Sequence, residues 1–256
     1  MSVGEILLDI YEDKKIIGGA PFNFIYHIHK FLGTSIFVSA LGDDKEGRKI
    51  EKFLTEQNIS KDFIDVIQSK ATGRVVVKLN KDGIPNYEIE RNVAYDFIHL
   101  TPQKKQKLIQ ISNLIYFGTL CQRSSVSRTT IQSLYNQNML YFCDLNLRQN
   151  FYSNEIIEAS LKSCNILKVN EEELKLVIKL CLGEELNLKR GVEKLQSKYE
   201  IIYIAVTQGE KGASLFSKVE SSRIEPLKIK VVDTLGAGDA YSAILALGIL
   251  NNIELN

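Results

Sequence analysis

An α/β fold with a mostly parallel central sheet flanked by helices, plus a small separate β element, is predicted by three features of the sequence. From Thr101 to Val206, short apolar runs alternate with amphipathic stretches of helical period. Strands separated by helices of that length need right-handed crossovers, which build a parallel sheet covered on both faces. Residues 73–94 break this rhythm: two extended pieces flank a turn signal, and the second alternates apolar with charged side chains, so one of its faces is wet. The 256 residues suit one main domain with a β appendage. A chain of that length buries roughly 70–75% of the surface its unfolded form exposes.

The elements follow in order. Residues 6–10 read as a first strand and Glu12-Asp13-Lys14-Lys15 as a charged turn. Gly18-Gly19-Ala20-Pro21 leads into a helix over 22–32, with Pro21 suited to a first helical position and Gly33 to C′. Residues 35–41 return to strand, and Asp43 or Asp44 caps the next helix, which runs through Ile50 and Leu54. In the appendage the strands are 74–79 and 87–91, with Lys81-Asp82-Gly83 as the hairpin signal. Thr101-Pro102 opens a helix. Strands over 114–117, 140–143, 166–169 and 201–206 then alternate with helices over 125–135, 156–161, 171–180 and 188–198. A last strand, 229–232, ends in a glycine-rich turn that opens an apolar helix over 240–250.

Composition removes several function classes. Thirty-two Lys and Arg against 31 Asp and Glu give a formal charge of +1, without the basic excess of a nucleic-acid binder. Cys121, Cys143, Cys164 and Cys181 are far apart and sit in or beside apolar segments, as thiols of a reducing compartment do. No run approaches a membrane span, and MSVGEILLDIYEDKK lacks the basic and apolar regions of a signal peptide. A cytoplasmic protein is the expectation, with no membrane and no nucleic acid as partner. The histidines offer no i, i+4 chelating pair.

In an open α/β sheet, ligands bind beyond the carboxyl ends of the strands. Five strand ends carry polar residues or glycines: Asp9; Gly118-Thr119; Asp144, Asn146 and Arg148; Asn170 and Glu173; Thr207, Gly209 and Gly212. The strongest local signal is Asp233-Thr234-Leu235-Gly236-Ala237-Gly238-Asp239. Its glycines let backbone N–H groups converge at a helix N-terminus, which makes an anion cradle. Asp239 would repel an anion unless it takes a proton from a nucleophile attacking that anion. Capping of the helix is the alternative, since aspartate favours a first turn. Gly42 and Gly47 have Walker spacing, but Arg48-Lys49 replaces the required Lys-Ser/Thr. Tyr241 stands where a dinucleotide fingerprint needs its third glycine. A second glycine turn, Gly18-Gly19-Ala20-Pro21-Phe22-Asn23, permits close approach of a ligand, and Asn23 can both donate to and accept from a hydroxyl.

The segments GGAPFNFIYHIHKFLG and DTLGAGDAYSAILAL resemble the N- and C-terminal signatures of the PfkB, or ribokinase-like, carbohydrate kinases. Gly42-Asp43, Asp144-Leu145-Asn146-Leu147-Arg148, Asn170-x-x-Glu173 and Thr207-x-Gly209-x-x-Gly212 fall between them in the family's order. GEILLDI, GGAPFN and DLNLR look most like the fructokinase branch.

The resemblance implies a kinase that passes the γ-phosphoryl group of ATP to a primary hydroxyl of a small sugar, fructose to fructose 6-phosphate first. Asp239 would be the base, and Gly236, Ala237 and Gly238 would hold the transferring phosphoryl charge. Asp9, Gly18, Gly19 and Asn23 would bind sugar hydroxyls, with Arg148 on the sugar or the phosphoryl group. Asn170, Thr207, Gly209 and Gly212 would serve the nucleotide, and Glu173 would organise Mg²⁺. Asp233 and its neighbours would form a monovalent-cation (K⁺) site. The appendage, mainly 73–94, would act as a lid over the sugar and pair two copies into a homodimer. Relatives continue for several tens of residues after the last helix, walling the adenine pocket, and by that comparison the C-terminal part of the family fold is expected to be missing after residue 256. The alternatives are a kinase for ribose, a nucleoside or 2-keto-3-deoxygluconate, and a catalytically weak sugar-binding relative.

Overall fold

The computed structural model describes residues 1–79, 85–136, 138–226 and 236–253. They form two compact units, one of residues 1–112 with 121–134 and one of residues 113–120 with 135–256. Both have the expected α/β character.

The first unit runs through β1 (Ser2–Val3), β2 (Leu7–Ile10), β3 (Lys15–Gly18), α1 (Ala20–Leu32), β4 (Phe37–Gly42), α2 (Lys45–Glu56), β5 (Ile64–Ile67), β6 (Gly73–Leu79), β7 (Pro85–Ile89), α3 (Pro102–Ile111) and α4 (Ser125–Ser133). β1, β4 and β5 pair in parallel. β3-β2-β6-β7 make a separate sheet, in which β2 pairs antiparallel with β3 and parallel with β6. Phe24, Ile25, Phe37, Leu41, Ile50 and Leu54 form the buried interior of this unit.

Here the structure corrects the reading of the first strand. The run over 6–10 belongs to the small sheet, so Asp9 does not stand at the carboxyl end of a strand of the main sheet. The chain leaves β1 at Gly4, whose φ of 148° and tight approach to Pro21 (2.6 Å from any added Cβ) only glycine accommodates. The two-residue β1 is too short to announce itself, and the apolar run Ile6-Leu7-Leu8 lies just beyond it. The small sheet thus has two more strands than residues 73–94 supply. The expected turn at 81–83 lies outside the described residues.

Two polar ties hold the ends of the small sheet. Asp44, the N-cap of α2, accepts from Gly47 N at 2.7 Å and from Thr72 N and Thr72 Oγ1 at 2.8 and 2.7 Å, just ahead of β6. Burial works against its ionisation, but those donors and the charge of Arg74 outweigh it and hold the carboxyl below its usual range. Beyond β7, Arg123 donates to the buried Asp96 at 2.8 and 2.9 Å and to Glu90 O at 2.5 Å.

The second unit runs through β8 (Leu114–Phe117), β9 (Leu140–Asp144), α5 (Asn154–Ser163), β10 (Ile166–Asn170), α6 (Glu171–Leu182), α7 (Leu188–Tyr199), β11 (Tyr203–Thr207), β12 (Ala213–Phe216), β13 (Ser221–Ile224) and α8 (Ala237–Leu250). β8, β9, β10 and β11 pair in parallel in chain order, and β12 and β13 continue antiparallel. The sequence reading did not contain that last hairpin, whose β13 is mostly exposed. Ile157, Leu161, Ile166, Leu167, Val177, Ile204 and Val206 are fully buried around these strands. The predicted strand over 229–232 and the turn residues Asp233, Thr234 and Leu235 lie outside the described residues. Among the described residues, no helix is long and apolar enough to cross a membrane.

Candidate active site

In the second unit, parallel register brings the strand ends level: Asp144 stands opposite Lys168, and Asn170 opposite Thr207. Asn170 caps α6, its Oδ1 accepting from Glu173 N at 2.8 Å. Glu173 closes the capping box with Oε2 on Asn170 N at 2.8 Å, while its Oε1 accepts from Leu147 N, also at 2.8 Å. The box explains the Asn-x-x-Glu spacing locally, and the bond to Leu147 ties in the loop after β9. Glu173 is 8% exposed. Burial, with the charge of Asp144, raises its pKa against the opposing pull of the two N–H groups and Lys168. Thr207 ends β11, and Gly209 and Gly212, both at positive φ, make the tight turn into β12. Any Cβ on Gly212 would collide with the carbonyl of Ile224. Arg148 lies exposed in the loop after β9, between the left-handed Asn146 and Gln149.

The start of α8 is the other feature of this unit. Gly236 is its N-cap, left-handed at φ 75°, and Asp239 lies in the first turn. The capping position therefore falls to a residue without a side chain, not to Asp239. Ala240 N makes the first intrahelical bond, to Gly236 O at 2.9 Å. The N–H groups of Ala237 and Gly238 precede it at the positive end of the helix. Packed against this turn is a buried polar group that the sequence reading missed. Lys168 Nζ donates to Asp144 Oδ1 at 3.1 Å, and Asp144 Oδ2 accepts from Tyr116 Oη at 3.0 Å and Ser242 Oγ at 2.9 Å. The available signal was a lysine inside the otherwise apolar run 166–169.

The remaining predicted residues gather in the first unit. Gly18 ends β3, and an added Cβ there would lie 2.6 Å from Asp9 Oδ2 on the neighbouring β2. Gly19 is the N-cap of α1 at φ 110°, with Glu5 O 2.5 Å from any added Cβ. Gly19 is thus required by its approach to backbone at positive φ, whereas Gly18 meets only the end of the Asp9 side chain; the turn sets Asn23 in the first turns of α1, its N–H bonded to Gly19 O at 2.8 Å. Asp233 lies outside the described residues.

A profile of the pfkB family of carbohydrate kinases matches residues 6–256. The chain belongs to that family. It is 27% identical over 263 residues to a probable chloroplastic fructokinase-6 of Arabidopsis thaliana, across 98% of this chain and 67% of the relative. A putative sugar kinase of Pyrococcus horikoshii is also 27% identical, over 97% of this chain and 82% of its own. Among solved structures, an uncharacterized Pyrococcus horikoshii sugar kinase in complex with ATP matches 100% of this chain and 86% of its own, with a TM-score of 0.82 at 25% identity. A double-mutant Vibrio cholerae fructokinase bound to fructose, ADP and potassium ion shares the fold at a TM-score of 0.79 and 20% identity, over 95% of this chain and 81% of its own. As a member of the pfkB family, the chain is a carbohydrate kinase. Its second unit also carries an apolar groove of about 360 Å³ along α8, lined by Ala213, Leu215, Ile224, Tyr241, Ile244 and Leu247.

Proposed function

We propose that the protein transfers the γ-phosphoryl group of ATP to a primary hydroxyl of a small sugar, with fructose, phosphorylated at its 6-hydroxyl, as the preferred acceptor. The observation that carries this reading is the opening of α8, where Asp239 directly follows backbone donors at the positive end of a helix. Asp239 takes the proton of the sugar hydroxyl as that oxygen bonds to the γ-phosphorus. The bond from phosphorus to the β,γ-bridging oxygen breaks, and ADP leaves with its electrons. N–H groups at Gly236, Ala237 and Gly238 hold the charge spread over the phosphoryl oxygens.

The same reading assigns the sugar hydroxyls to Asp9, Gly18, Gly19 and Asn23, and Arg148 to the sugar or the phosphoryl group. Asn170, Thr207, Gly209 and Gly212 take the nucleotide, with the apolar groove beside α8 as a wall for its base; pockets of a few hundred Å³ suit such a group. Mg²⁺ is the expected metal, because it prefers hard oxygen ligands and keeps several waters. Glu173 fits it as an anchor for those waters, since each carboxylate oxygen already accepts one N–H. When bound, the ion neutralises charge on the ATP phosphates. Asp233 is the residue proposed for a K⁺ site.

ADP release under Mg·ATP across fructose, ribose, glucose and 2-keto-3-deoxygluconate tests the reading. Fructose is expected to give the highest kcat/KM. A higher value for another sugar would move the acceptor assignment, and no turnover with any sugar would sink the proposal.

A further inference from the structure

β10 is an apolar parallel strand with a cation inside it. Ile166, Leu167 and Val169 are fully buried, and Lys168 between them is 8% exposed. Burying an ammonium is costly even when paired, and an apolar side chain of similar volume would serve the strand at least as well. The surroundings of Nζ point to a use for the charge. On one side Asp144, its partner in the β9–β10 register, fixes it at 3.1 Å. The other oxygen of Asp144 binds Ser242 in α8, three residues after Asp239, so one carboxylate locates both the ammonium and the helix. On the other side Nζ faces the backbone of Gly238, where an added Cβ would stand 3.1 Å from it. The carboxylates bearing on Lys168 are Asp144 on β9, Glu173 on α6 and Asp239 on α8. Burial favours loss of its proton, and these charges more than offset that, so it stays an ammonium.

We propose that Lys168 is a positioning residue of phosphoryl transfer: its ammonium, held by Asp144 against Gly238, supports the carboxylate of Asp239 and the phosphoryl anion gathered at the start of α8. The inference rests on Asp239 being the base. A preorganised charge in a site shielded from water acts without reorganising during the reaction, which is where such groups are worth most.

The test replaces both buried charges together, Asp144→Asn with Lys168→Met, so that no lone ion is left in the interior. Melting temperature, both KM values and kcat are measured beside wild type, Lys168→Arg and Asp239→Asn. The double variant is expected to melt within about 5 °C of wild type. Its kcat is expected to fall about 10²-fold, the scale of one lost preorganised donor. Both KM values stay within roughly threefold, because uniform binding is untouched. Lys168→Arg, which keeps the charge, should retain kcat within about tenfold. A folded double variant with wild-type kcat would show that the pair serves the fold alone and overturn the proposal. Should the double variant not fold, Lys168→Gln, whose amide can still donate to Asp144, carries the same expectation and the same contrary result. Wild-type turnover that is lost in Asp239→Asn but kept in the Lys168 variants overturns only the role of Lys168. Undiminished turnover in Asp239→Asn overturns the assignment of the base, and this inference with it.

Discussion

Both carboxylate oxygens of Glu173 are occupied by backbone donors, one from the cap of α6 and one from the loop after β9. Glu173→Gln turns one of those acceptors into a donor facing an N–H group. The expected loss is about 1–3 kcal/mol of stability, the cost of leaving a buried polar group unsatisfied. A urea melt reads it, and an unchanged midpoint would mean that the capping box does not hold this loop. Asn170 and Glu173 were legible in the sequence as polar residues just past an apolar strand, at the spacing of the family's motif; that the same spacing closes a capping box emerges only from the structure. Tyr116, Lys168 and Ser242 were not. A tyrosine or a serine in an apolar run reads as core, and only three-dimensional register shows that all three converge on Asp144.

At the scale of elements, the helices were read with small errors at their ends. The first was expected from residue 22 and begins at Ala20, because Pro21 is accommodated within the opening turn. Four-residue strands carrying charge, such as β3 and β13, offer too few residues for a period to register. The ties of the small sheet are testable as elements. Asp44→Ala removes the α2 cap and the hold on Thr72, and should cost about 1–2 kcal/mol at neutral pH. Because the folded carboxyl is held below its usual value, Asp44 contributes stability above the unfolded pKa of about 3.9. That contribution is lost as pH falls through the lower folded value, so the gap between variant and wild-type melting temperatures should start to narrow as the pH falls below about 4. A gap of undiminished size at pH 3 would contradict the ionic account. Arg123→Met leaves Asp96, whose side chain is 5% exposed, without its partner. Breaking such a pair is expected to cost about 3–5 kcal/mol in chemical denaturation, and a loss under about 1 kcal/mol would assign the beyond-β7 tie to other contacts.

For the molecule as a whole, the alternation of strand and helix was enough to anticipate an α/β fold, the resemblance of residues 18–33 and 233–247 to the PfkB signatures implied a carbohydrate kinase, and the family match over residues 6–256 bears that out. The assignment of residue 6–10 to the main sheet failed because one run of apolar residues serves equally well in either sheet, and Gly4, where the chain changes direction, looks like any other loop glycine. The central functional claim is that a carboxylate beside the helix-end donors of α8 moves the proton of the sugar. It is tested most directly by kcat for fructose under saturating Mg·ATP in wild type and in Asp239→Asn, which keeps size and shape. The account predicts measurable fructose-dependent phosphorylation in wild type and a loss of about 10²–10⁴-fold in the variant, the usual contribution of a positioned general base. Equal rates in the two proteins would contradict it.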